Sequence, residues 1–138
     1  MSTRSVLAIK EGKRYKYIYV HSDGHPEYMW ETLKEHYDTK EKAEELVNLG
    51  DLSFVGKEIG KKHKFEDSYS EHPNWTVAYG RDRGETGIEP REHKMSVKQL
   101  NLRAERLNAE YFYVFNKGKW EGYKVGNSEP LKEKRIKV

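Results

Sequence analysis

Ser5-Val6-Leu7-Ala8-Ile9-Lys10-Glu11-Gly12-Lys13-Arg14-Tyr15-Lys16-Tyr17-Ile18-Tyr19-Val20 decides the fold of this chain. Two strand-like runs, Ser5–Ile9 and Tyr15–Val20, flank a polar connection in which Gly12 can supply the positive φ of a tight turn, so the spacing predicts an N-terminal β-hairpin. Side chains alternate across a strand. Tyr15, Tyr17, Tyr19 and His21 therefore share one face of the second strand, and Ile18 and Val20 share the other. A tyrosine stripe with a histidine at its end is the first candidate surface.

Working outward, Trp30, Leu33 and Tyr37 recur at three- and four-residue spacing and predict an amphipathic helix over Glu27–Tyr37. A second helix follows, with Asp38 and Glu41 as a capping box, Ala43, Leu46 and Val47 as its apolar stripe, and Gly50 past its end. Asp51–Ile59 reads as a further short turn of helix capped by Ser53. The charged stretches Gly60–Pro73 and Gly80–His93 read as loops around a strand at Trp75–Tyr79. Val97, Leu100, Ala104 and Leu107 predict a helix over Ser96–Leu107. Ala109–Phe115 and Trp120–Val125, joined by Asn116-Lys117-Gly118-Lys119, predict a C-terminal hairpin. The economical architecture is α+β: one domain over 1–125, a mainly antiparallel sheet of about five strands with two or three helices, and a polar, fraying tail over 126–138.

A chain of 138 residues suits one domain with one core. Charged residues make up 36% of it, and ten Tyr, four Phe and three Trp supply much of the apolar area. With 26 Lys+Arg against 23 Asp+Glu the net charge is +3 and the signs are interspersed, a balance that does not favour a nucleic-acid partner. The lack of cysteine excludes disulfides and thiolate chemistry and fits a reducing compartment. No run approaches the roughly 18 apolar residues of a membrane span, and no signal-like segment stands at the start, so no membrane association is expected. Nothing in the residues requires a cofactor, and the oligomeric state is left open.

Titratable residues concentrate in two places. His21, Asp23 and His25 form a His-x-Asp-x-His pattern, which in an extended strand would set three metal-competent groups on one side. The same letters suit a hydrogen-bonded Asp-Gly turn. His21 and Asp23 could also orient one another as a general base, with Ser5 or Ser22 as nucleophile. Gly80-Arg81-Asp82-Arg83-Gly84-Glu85 places two guanidinium groups around a carboxylate, either a clamp for phosphate, nucleotide or an acidic partner, or an ion-paired surface loop. Tyr15/Tyr17/Tyr19 with Tyr111/Tyr113/Phe115 could stack single-stranded bases, though such stripes are more often core.

Thr3-Arg4-Ser5, Ile18 to Glu27, Leu33-Lys34-Glu35-His36-Tyr37, Leu49-Gly50-Asp51-Leu52-Ser53, Ala78 to Glu85 and the Tyr113-Val114-Phe115…Trp120 hairpin, in that order, resemble a family of small proteins encoded by bacteriophages and related mobile elements. The family pattern is similar to His-Trp-Asp-Gly-Tyr-Pro, where this chain has Ser22 and His25 at the two aromatic positions, so a His-x-Asp-x-His metal triad is not a family feature. The resemblance implies an accessory protein in the cytoplasm of an infected bacterial host cell that binds and inhibits a host protein, such as an antiviral defence component. It leaves His21, Asp23, Gly24, Arg81, Asp82 and Arg83 as the matching polar positions of a binding site. A small enzyme or phosphate-binding protein built on His21, Asp23, Arg81 and Arg83 is the alternative, with a nucleic-acid-binding module after it.

Overall fold

Ser5–Glu11 (β1) is buried on both faces over Ser5–Ile9, as a central strand must be. The computed structural model describes residues 3–65, 71–126 and 129–131. β1 pairs with Arg14–Val20 (β2) in antiparallel register, Ser5 opposite Val20 and Glu11 opposite Arg14. The turn between them has Gly12 at φ 62°. On its other side β1 runs parallel to Tyr111–Asn116 (β6), which forms the predicted hairpin with Lys119–Lys124 (β7). Lys117 and Gly118 both take positive φ there, 52° and 81°, as a two-residue hairpin turn requires.

The outer edge of β2 is shared. Arg91–Lys94 (β5) pairs antiparallel with Arg14–Tyr17, and Leu52–Phe54 (β3) pairs parallel at Val20. Val77–Ala78 (β4) continues from β3, and Glu129–Pro130 (β8) adds to β7. The sheet thus has eight strands in the order β4-β3-β2-β1-β6-β7-β8, with β5 beside β2. Only β1–β6 and β2–β3 are parallel, so the mainly antiparallel α+β reading holds, with more strands than the sequence suggested. β8 lies past the boundary read at 125, while the tail read as fraying falls mostly outside the described residues.

Met29–His36 (α1) and Lys40–Val47 (α2) connect β2 to β3 and cover one face, where Leu7, Ile9, Ile18, Val20, Leu33, Leu46, Tyr113 and Trp120 form the larger core. The one-turn helix Tyr79–Arg83 (α3) follows β4. Val97–Arg106 (α4) covers the other face over Val6, Ala8, Tyr15, Tyr17, Phe112 and Val114. Ser96 caps α4 in a full capping box with Gln99.

Three local expectations are corrected. The cap of α2 is Thr39, whose hydroxyl accepts from the Lys42 amide, and not Asp38. Asp51–Ile59 contains strand β3 instead of a helical turn, because the exposed edge of β2 and the β4 strand both pair with it. Tyr15, Tyr17, Tyr113 and Phe115 are each at most 4% exposed, so these rings are core and cannot serve as a base-stacking platform.

Two buried phenols tie this core to pH. The Tyr37 hydroxyl donates to Gly56 O at 2.6 Å, and burial pushes its pKa up to about 12. Burial raises Tyr113 too. In the unfolded chain both ionise near 10.0, so the stability they contribute is present in full below that pH and is lost as pH rises from there through the folded values. Urea unfolding measured across this alkaline window is expected to show stability falling with pH, with a shallower fall in Tyr37→Phe.

Candidate functional site

The chain leaves β2 at Val20 and at once meets β3: the His21 and Ser22 amides donate to Leu52 O and Ser53 O, both at 3.0 Å. Asp23 then turns left-handed, at φ 55°. That reversal stops His21, Asp23 and His25 from continuing along one side of an extended strand, and no group of three or more metal-competent side chains exists among the described residues. The weak metal candidate is therefore not assembled. His21 Nδ1 instead lies 2.9 Å from the Tyr19 hydroxyl, with Tyr19 on the α4 side of the sheet. Ser5 is paired with Val20 and shares its face, the side of α1 and α2. His21 and Ser5 thus stand on opposite sides, and no nucleophile–base pair forms between them.

Gly24 is the structural centre of the turn. Its N–H donates to Thr3 O at 2.9 Å, and its carbonyl accepts from the buried Tyr113 hydroxyl at 2.7 Å. The backbone then enters α1 through His25 O, which accepts from the Tyr28 and Met29 amides. This turn joins the start of β1, the body of β6 and the entry to α1.

The second cluster is equally internal. Arg81 chelates its neighbour, with Nε and Nη2 donating to the two Asp82 oxygens at 2.9 and 3.1 Å. The same guanidinium donates to Ile59 O at 2.8 Å and Thr76 O at 2.7 Å. The Asp82 side chain is fully buried and also accepts from the Ala78 and His63 amides at 2.8 and 3.2 Å. Arg81 and Asp82 therefore form a clamp that fastens the segment around 59–63 to β4 and α3. Arg83 points outward, 57% exposed, paired with Glu85 at 3.4 Å and over the Phe65 ring. No hydrogen bond or ion pair links Arg81, Asp82 or Arg83 to His21, Asp23 or Gly24 among the described residues.

Asp51 and Arg91 were not read as a pair from the sequence. Tyr19 lies at the junction on the β2 edge, past the reach of β5 and before β3. The Asp51 carboxylate takes its amide at 2.9 Å and receives Arg91 in a bidentate pair at 2.7 and 3.1 Å. Those bonds raise the Arg91 pKa further, which keeps its guanidinium charged. A buried backbone N–H without a partner would destabilise the sheet. The pair supplies that partner.

An open groove of about 770 Å³ lies where α4 begins. Its floor is Tyr15, Val114, Glu121 and Tyr123; Met95 and Val97 line one wall, and Lys10, Lys13 and Lys94 complete it. Tyr123 stacks on Phe112, with ring centroids 4.8 Å apart. Burial, then the Glu121 charge, raises the pKa of both Tyr15 and Tyr123, which keeps the two phenols protonated. Lys10 Nζ lies 5.9 Å from the centre of the Tyr15 ring. None of the three ammonium groups is ion-paired among the described residues. Compared with protein-family models, curated proteins and solved structures, the chain gave no match.

Proposed function

We propose that this chain is an accessory protein of the bacteriophage type that acts in the infected bacterial cytoplasm by occupying the surface of a host protein, with antiviral defence as the class of target. The order of motifs along the sequence supports the phage context. One structural observation supports binding over catalysis: the Arg81–Asp82 clamp and the His21–Gly24 turn are engaged in holding the fold, while a basic groove with apolar walls stays open on the α4 side. Interfaces that act by occupation need an apolar patch rimmed by charge, and the groove has that make-up.

An affinity pull-down of the tagged chain from bacterial lysate, quantified by mass spectrometry, is expected to enrich one host protein well above a tag-only bait. Failure to capture any protein at micromolar bait would count decisively against this role.

A further inference from the structure

We propose that the groove at the start of α4 receives an acidic, extended segment of the partner protein, with one apolar side chain of that segment seated between Met95, Val97 and Tyr123. This rests on the binding reading above and names the chemistry of its contact.

The argument is charge and shape together. Lys10 comes from the end of β1, Lys13 from the β1–β2 turn and Lys94 from the end of β5, so three separate backbone positions bring cationic residues to one concavity. Some cations elsewhere on the surface have an acidic partner, as Arg14 with Glu92, Lys40 with Glu11 and Glu44, and Arg83 with Glu85. The groove lysines have none among the described residues, and a concentrated, unneutralised positive edge is complementary to carboxylates.

The floor separates a peptide from a nucleic acid. Glu121 lies in it beside Asn116, whose side-chain amide donates to it at 3.4 Å. Glu121 can accept a backbone N–H from an extended peptide, a donor that a sugar–phosphate backbone lacks. Tyr15 is only 4% exposed and one face of Tyr123 is covered by Phe112, which leaves little ring surface for a base. Met95 and Val97, both partly buried, offer an apolar wall of the size that a leucine or phenylalanine anchor fills.

The test is fluorescence anisotropy with a labelled peptide carrying one Leu between two runs of Glu, beside the same peptide with Gln for Glu and a labelled oligothymidylate. Each exposed ion pair contributes little alone, so losing three should weaken the acidic peptide by about tenfold. That loss is expected in Lys10→Glu/Lys13→Glu/Lys94→Glu and, to a smaller extent, in the corresponding Gln variant. It should be absent in Lys42→Glu/Lys57→Glu, whose charges lie elsewhere. Circular dichroism confirms that each variant is folded before it is scored.

Equal binding of the Gln peptide, unchanged binding by the groove variants, or oligothymidylate binding as tight as the acidic peptide would each overturn the proposal. The lysate experiment is read separately. A host protein captured equally by the wild type and the charge-reversed bait would overturn the groove while leaving the host-binding role intact. Peptide binding with the expected charge dependence, but no captured protein, would do the reverse.

Discussion

Asp82→Ala is expected to lower the free energy of unfolding by about 3–5 kcal/mol, the usual consequence of removing one partner from a buried ion pair. The cause is what the substitution leaves behind. The Arg81 side chain is 16% exposed and loses both of its bonds to carboxylate oxygens, and the Ala78 and His63 amides lose their acceptor. Two carbonyls, Ile59 O and Thr76 O, still hold the guanidinium in place, so it cannot swing into water without breaking those bonds as well. Replacing the pair together, as Arg81→Met/Asp82→Leu, should cost less than Asp82→Ala alone, since no uncompensated charge remains. Urea unfolding at neutral pH gives both numbers. A loss below about 1 kcal/mol for Asp82→Ala would mean that the pair behaves as an exposed one and does not fasten the 59–63 segment. The outcome also bears on function. A clamp predicts that Arg81 and Asp82 variants lose stability and leave acidic-peptide binding by the folded fraction unchanged, whereas a ligand-binding pair predicts the opposite pattern.

The parts of the fold written locally were legible. Both hairpins announce themselves through alternating apolar residues around Gly12 and Gly118, and α1, α2 and α4 through apolar spacing along Trp30–Leu33, Ala43–Val47 and Leu100–Ala104. β3 and β5 were not legible for a common reason. Leu52-Ser53-Phe54 is too short to show a period, and Arg91-Glu92-His93-Lys94 is polar throughout, so neither has a strand signature of its own. Each is a strand because the edge of β2 offers unpaired amides to it. The Asp51–Arg91 pair that closes the gap between them joins positions 40 apart, a contact that exists only after both have docked. Arg81 and Arg83 look equivalent in sequence, flanking one Asp between two glycines. One turn of helix separates their fates by aiming Arg81 inward at Thr76 O and Arg83 outward at Glu85. The groove was beyond sequence reading altogether, because its lining comes from the first hairpin, β5, the start of α4 and the last hairpin.

Gly24→Ala is expected to destabilise the chain by about 3 kcal/mol, at the upper end of ordinary overpacking, because none of the groups it would meet can withdraw easily. A Cβ at this position would lie 2.7 Å from both Cβ and Oγ of Ser5 and 2.9 Å from Thr3 O, closer than real Cβ contacts allow. Ser5 is fully buried and fixed by its pairing with Val20 and Tyr111, and Thr3 O already accepts the Gly24 amide. Relief by moving the turn outward would break the bond from the Tyr113 hydroxyl to Gly24 O inside the core. Adding Ser5→Gly should restore part of the loss, since it removes two of the three clashing atoms. It also removes a hydroxyl that has no hydrogen-bond partner among the described residues. The neighbouring positions are more open: Asp23 is exposed, Ser22 and His25 are half-buried, and the His25 ring lies 6.4 Å from that of Tyr28 between centroids. His25→Tyr should therefore leave thermal unfolding nearly unchanged. If Gly24→Ala kept full stability but lost the host partner, the His21–Pro26 turn would be a contact surface. A large stability loss with the Ser5→Gly rescue makes it a joint between β1, β6 and α1.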